Sequence, residues 1–204
     1  LNFEDTYKTI VSNSEPILYK EKNSKFFGYA FHITSEEAVK QKLELVKKEH
    51  HSARHWCYAY QIGTESKSFR VNDDGEPSNT AGMPIYGQIL SSDLTNVLII
   101  VVRYFGGVKL GVGGLIKSYR TTAQLSIEAS EIIEKTVNQE FEISFEYKDM
   151  NKVMRIIKEK NLDIISQKLE LACSITISVR KQIADRIFDI FVSSYGISIK
   201  KVEN

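Results

Sequence analysis

Cysteine, charge imbalance and long apolar runs are all scarce in this 204-residue chain, and each scarcity removes a class of protein. There are two cysteines, Cys57 and Cys173, in different halves of the chain and each within an apolar, strand-like stretch. That usage excludes a disulfide scaffold and predicts a pair of buried, reduced thiols, as in a cytosolic protein. Net charge is +1, so no global field draws the chain to nucleic acid or to a membrane, and any basic site must be local. The longest purely aliphatic run, residues 97–102, is far too short to span a bilayer. Residues 1–10 lack the basic and apolar regions of a signal peptide, and a start on Leu1 in place of Met suggests a trimmed N-terminus. A cytoplasmic location is expected. Internal repeats and low-complexity segments are absent. What remains, at 42% hydrophobic and 26% charged residues, is ordinary globular composition without a signature of disorder.

The second half carries the clearer pattern. Phe141, Ile143, Phe145 and Tyr147 alternate with polar residues, the period of a half-buried strand. Met150, Val153, Met154 and Ile157 then recur at helical spacing. A short apolar segment, 162–169, and an alternating one, Leu171 to Val179, predict two paired strands. A second amphipathic helix carries Ile183, Ile187, Ile190 and Phe191, with Gly196 read as its C-cap, before a last strand over 197–202. The order β-α-β-β-α-β is the ferredoxin-like, split βαβ pattern.

The first half predicts strands over 17–22 and 25–33 turning at Asn23-Ser24, then a helix capped by Thr34 and Glu37 with Val39, Leu43 and Val46 on its buried face. Strands over 54–62 and 66–71 follow as a hairpin, Thr80 caps a short helix to about 90, and 97–104 is a central strand buried on both faces. A glycine-rich loop leads into a helix over 114–130. The domain boundary falls near residue 135, giving an α+β protein of two domains, 1–135 and 136–204.

The strongest local signal is the stretch from Arg103 to Leu115. Five of eleven glycines fall in it: Gly106, Gly107, Gly111, Gly113 and Gly114. Glycine allows close approach of a ligand, and a helix beginning beyond such a loop offers unpaired N–H groups that suit phosphate. From residue 94 to 127 there are four basic side chains (Arg103, Lys109, Lys117, Arg120) and no acidic one, although residues 1–135 balance sixteen against sixteen. The loop matches neither nucleotide motif: Val112 stands where a Walker loop needs lysine, and Ile116 where a Rossmann fingerprint has its third glycine. An anion site is favoured over a purely structural connection.

A second signal is Asp73-Asp74-Gly75-Glu76-Pro77. Three carboxylates in four positions could hold Mg²⁺, but the spacing is not that of an EF-hand, and a solvated turn or one pairing with Arg103 or Lys109 ranks higher. His50, His51 and His55 form a cluster in which Ser52 occupies the glutamate position of a zincin motif, so zinc is disfavoured and His55 reads as a partly buried, hydrogen-bonded side chain. Tyr104, Phe105 and Tyr119 flank the basic loop and could stack bases, though core positions suit them as well.

The stretch Arg103 to Leu115 with Tyr119, the Asp73 to Pro77 turn with Thr80-Ala81-Gly82, and Ala53-Arg54-His55 with Cys57-Tyr58-Ala59 together resemble the Impact/YigZ family. The resemblance covers nearly the whole chain, with residues 15 to 130 similar to the Impact N-terminal domain. It implies a first domain folded like the second domain of ribosomal small-subunit protein five and a second like the last domain of elongation factor G. Eukaryotic members restrain the starvation-responsive initiation kinase by competing for its activator, using an additional N-terminal domain. What the resemblance carries to this chain is a link to translation and binding of RNA or the ribosome.

The leading expectation is therefore a non-enzymatic, translation-associated protein. Arg103, Lys109, Lys117 and Arg120 would contact RNA phosphates, and the amides at Gly111, Gly113 and Gly114 would hold one. His55, Asp73, Asp74, Glu76, Tyr104, Gly106 and Gly107 would complete the functional surface. RNA or the ribosome is the expected partner and a translation factor a further candidate. No membrane, metal, cofactor or catalytic residue is assigned, and oligomeric state stays open. Two alternatives stand beside this reading: an enzyme using a metal at Asp73, Asp74 and Glu76 on a small phosphorylated substrate, and a pure protein-interaction module.

Overall fold

The computed structural model describes residues 5–11 and 15–202, so the chain start at 1–4 lies outside the described residues. The chain divides into two compact units, one of residues 7–135 and one running from residue 136 together with the segment up to Thr6. In order, the first holds β1 (Thr6–Ile10), β2 (Ile17–Glu21), β3 (Ser24–His32), α1 (Glu36–Glu49), β4 (His55–Ile62), β5 (Ser68–Asn72), α2 (Gly82–Ser91), β6 (Val97–Tyr104), α3 (Gly111–Glu128) and β7 (Ile132–Thr136).

Five of these strands form an antiparallel sheet in the order β2-β3-β6-β4-β5. The β-branched run of β6 is the middle strand, and Val97 to Val102 are all fully buried because helices cover both faces. Strand alternation sends Val97, Ile99 and Val101 to one face, where they pack with Phe26, Cys57 and Ala59 against Ile85 and Ile89 of α2 and Tyr119, Ala123 and Ile127 of α3. Leu98, Ile100 and Val102 go to the other, against Tyr29, Tyr58, Tyr60 and the Val39 and Val46 stripe of α1. The α3 side is unusually close: a Cβ on Gly28 of β3 would collide with Ser126 Oγ and lie 2.7 Å from Thr122 Cγ2. Ser118, Thr122 and Ser126 of α3 are themselves fully buried, each hydroxyl bonded to the carbonyl four residues earlier.

Local details differ from the sequence expectations for physical reasons. The β2–β3 turn is Lys22-Asn23, both at positive φ, because Glu21 pairs with Ser24 and leaves a two-residue loop. Ser35, in extended conformation, caps α1 by accepting from Ala38 N, so Thr34 does not; Glu36 and Glu37 in the first turn and Lys47 and Lys48 in the last match the helix dipole. Thr80 donates its hydroxyl to Pro77 O and so does not cap α2. α3 begins three residues before the expected 114, taking Gly111 and Gly113 into its first turn. β1 and β7 form a two-stranded ribbon that had no counterpart in the sequence reading.

The second unit contains β8 (Asn138–Glu146), a 3-10 turn, α4 (Met150–Glu159), β9 (Asp163–Leu169), β10 (Ala172–Arg180), α5 (Lys181–Val192) and β11 (Ile197–Lys201). Its antiparallel sheet runs β11-β8-β10-β9, the βαββαβ arrangement. Phe141, Ile143 and Phe145 of β8 and Cys173, Ile175, Ile177 and Val179 of β10 turn one face to Val153, Ile156 and Ile157 of α4 and Ile187 and Phe191 of α5. Helix α5 ends at Val192 with Ser193 as its cap; Gly196, at φ +83°, belongs to the turn entering β11 and is not the helix cap. Asp5 is buried and accepts two bonds from Arg180, Nε at 3.1 Å and Nη2 at 2.9 Å. No helix among the described residues is long and apolar enough to cross a membrane.

Candidate functional site

Arg103 is the last residue of β6 to alternate onto the α2/α3 face, directly opposite His55 of β4. That register decides its environment. Its side chain is 7% exposed and its Nη1 donates to Glu76 Oε1 at 2.7 Å, while the Glu76 side chain is 4% exposed. The hydroxyl of Tyr119 on α3 donates to the same oxygen at 2.7 Å. The guanidinium lies 5.6 Å from the Phe26 ring and 5.7 Å from that of Phe105. Arg103 therefore joins the acidic turn to the sheet from within and is not a free surface cation.

The other carboxylates of the turn are committed too. Asp73 Oδ1 accepts from Ala81 N at 2.9 Å and Gly82 N at 2.8 Å, and Oδ2 from Asn79 N at 2.8 Å. Asp73 thus caps α2 from nine residues upstream, the role expected of Thr80. Asp74 Oδ2 accepts from Trp56 N at 2.7 Å, and Asp74 O lies 2.8 Å from His55 Nδ1. Asp74 holds φ 41° and Gly75 φ 84°, the left-handed pair that lets the chain reverse between these bonds. The three carboxylates diverge onto α2, β4 and β6. Of the readings open for this turn, pairing with Arg103 is the one observed, made by Glu76, and among the described residues no three His, Cys, Asp or Glu side chains converge as metal ligands.

Cys57 extends the same network. Its Sγ donates to Asp73 O at 3.0 Å and contacts Tyr119 OH at 3.3 Å. Burial pushes the Cys57 thiol far above its ordinary range, and burial, reinforced by Cys57 and Glu76, does the same to the Tyr119 phenol. Both groups are fixed in their protonated, hydrogen-donating forms. The apolar, strand-like sequence around Cys57 marks it as a buried, reduced thiol but carries no signal for its bonds to Asp73 and Tyr119.

The remaining predicted residues separate into two groups. Tyr104 points to the opposite face of the sheet, where its hydroxyl meets His50 Nδ1 at 3.0 Å; His50 Nε2 in turn lies 2.6 Å from Tyr29 OH. Burial lowers the His50 pKa, so the ring is neutral within this network. Gly106 packs on the Asn23–Ser24 backbone, which leaves no room for a side chain. By contrast, Lys109, Lys117 and Arg120 are exposed, and none has an ion-pair partner among the described residues. Gly107, Gly111 and Gly113 are exposed with open space around them. The first turn of α3, which follows Lys109, has no side-chain cap hydrogen bond for its amides. A groove of about 350 Å³ between α2 and α3, lined by Asn79, Met83, Gly87, Ile116 and Arg120, continues this surface.

Known proteins resemble the chain over most of its length. The Impact N-terminal domain family model matches residues 22–127, which span β3 through most of α3. The chain is 32% identical over 154 residues to the IMPACT family member YvyE of Bacillus subtilis, covering 76% of this chain and 70% of that protein. It is 33% identical over 147 residues to the IMPACT family member YigZ of Escherichia coli, covering 71% of this chain and 72% of that protein. A crystal structure described as that of a hypothetical protein superposes with a TM-score of 0.72 at 25% identity, covering 99% of this chain and all of the other.

Proposed function

From the premise that the chain belongs to the IMPACT family, we propose that it is a translation-associated protein that binds RNA or the ribosome and performs no catalysis. The observation that carries this reading is the surface of α3. Lys109 precedes the uncapped first turn, and Lys117 and Arg120 are exposed on the second and third turns of the same helix, in a stretch with no acidic residue between positions 94 and 127. Phosphates fit such a surface: cations supply attraction, exposed amides supply donors, and Gly111 and Gly113 let a backbone approach closely. The βαββαβ order of the second unit supports the likeness to an elongation-factor domain that the family resemblance implies. A cytoplasmic location follows from the same reading.

The test is co-sedimentation with ribosomes, and binding to a short oligoribonucleotide, across a salt series. Lys109→Ala/Lys117→Ala/Arg120→Ala should lower affinity for all RNA sequences alike and flatten the logarithmic salt slope by about 2, the loss of three single-strand phosphate contacts. Equal binding by wild type and variant at every salt concentration would remove α3 as the working surface. Binding by neither, even at low salt, would remove the RNA reading altogether.

A further inference from the structure

Gly87 lies in the interior of α2, where glycine is disfavoured, and the fold gives no reason for it. Its φ is not positive, and a Cβ placed on it would meet no atom within 4 Å. Gly28, Gly82 and Gly106 differ, because in each a Cβ would strike neighbouring atoms. What the missing side chain at Gly87 leaves is space, in the groove of about 350 Å³ between α2 and α3. Asn79, Met83 and Gln88 line this groove from the α2 side, and Ile116 and Arg120 from α3. Met83 is a large apolar side chain left 44% exposed there. The amide groups of Asn79 and Gln88 and the guanidinium of Arg120 have no side-chain hydrogen bond or ion pair among the described residues. The groove thus combines apolar walls, two free amides and a single charge, which is positive.

We propose that this groove receives one unpaired base of an RNA strand, with Arg120 on the adjoining phosphate. The proposal rests on the reading of α3 as a phosphate-binding surface, and it adds a choice of single strand over duplex. The chemistry follows from the groups present. A base is flat, apolar on its faces and lined with donors and acceptors along its edge. Met83 and Ile116 suit the faces, the thioether being favourable against an aromatic ring. Asn79 and Gln88 suit the edge, since each amide both donates and accepts. A lone phosphate would leave the apolar walls unused, and an aliphatic side chain would leave the amides unpaired. Bases within an RNA duplex turn their edges to one another, so only an unpaired base can enter. The volume stands at the lower end of the roughly 300–1,000 Å³ of small-molecule pockets, which suits one nucleotide.

Fluorescence anisotropy with a short single-stranded oligoribonucleotide, and with an abasic strand of equal length, tests the proposal. The wild type should bind the strand carrying bases about tenfold more tightly, the size of one base-edge contact. Gly87→Leu fills the groove at a position where leucine favours the helix, so the variant should melt no lower than the wild type. Its affinity for the single strand should fall to that for the abasic strand. The salt slope should stay the same, because no cation is removed. Gln88→Ala should narrow the spread of affinities among homopolymers of the four bases, which a purely structural role would not do. Lys109→Ala/Lys117→Ala should instead weaken both strands alike. Equal affinity of the wild type for the two strands, or unchanged binding in Gly87→Leu, would overturn the base site and leave the phosphate reading intact. Binding of neither strand would remove both readings and leave the groove to a protein partner.

Discussion

Glu76 and Arg103 form an ion pair 2.7 Å long in which neither side chain is more than 7% exposed. Its worth is asymmetric. Removing one partner leaves the other charged and buried, which costs about 3–5 kcal/mol, whereas replacing both with apolar residues of similar size is often neutral. Glu76→Ala should therefore lower the urea midpoint steeply, and Glu76→Leu/Arg103→Met should recover most of the loss. A double variant no more stable than the single one would show that the pair itself sustains the fold.

Asp73 holds the start of α2 through three backbone amides. Asp73→Ala should cost about 2 kcal/mol, the upper end for a helix cap, and chemical denaturation measures it. Asp73→Asn keeps a carbonyl acceptor and should lose less. Thr80→Ala should change stability much less than Asp73→Ala, since its hydroxyl does not cap the helix.

Gly28 and Gly113 make opposite predictions. Gly28→Ala drives a methyl into Ser126 and Thr122, and should destabilise by roughly 1–3 kcal/mol as overpacking does. Gly113 is helical, exposed and free of neighbours, so Gly113→Ala should stabilise by about 0.5–1 kcal/mol. If phosphate approaches the α3 amides closely, the same substitution should weaken RNA binding. Thermal melts and the salt-series assay together separate the two effects.

His50 gives a pH dependence. Burial lowers its folded pKa below the unfolded value near 6.5, so the unfolded chain binds the proton more readily. Its contribution to stability is complete above that unfolded value and declines as pH falls from there toward the folded pKa. Melting temperature should drop on acidification through this range, and His50→Gln should flatten the drop. Burial depresses His32 in the same direction, so the slope in His50→Gln should shrink without vanishing.

The parts of this fold legible in sequence are those where burial follows period. The unbroken apolar run of β6 announced a middle strand, and the alternation of β8 and β10 announced a half-buried sheet. The β1–β7 ribbon escaped because its partners are more than a hundred residues apart and β7 is mostly exposed, leaving little pattern to read. The sequence marks Arg103 both as a phosphate contact and as a partner for the acidic turn, and the structure selects the second. Its position two residues beyond Val101, on the alternation that buries Val97 and Ile99, already put it on a covered face. A charge on such a face requires a partner, and Glu76 in the nearby acidic turn was the available one. Lys109, Lys117 and Arg120, by contrast, lie where the structure leaves them exposed.

The four-residue turn from Asp73 to Glu76 also ties distant parts of the first unit to one another. Its three carboxylates engage partners 8 and 9, 18, 27 and 43 positions away, on α2, β4, β6 and α3. A turn bonded to four elements at once opens fully only when several of them release together. The amides of Trp56, Ala81 and Gly82, all donors to this turn, should consequently exchange with solvent at the slow rate of global unfolding, although the turn itself is made of residues that elsewhere belong to mobile surface loops.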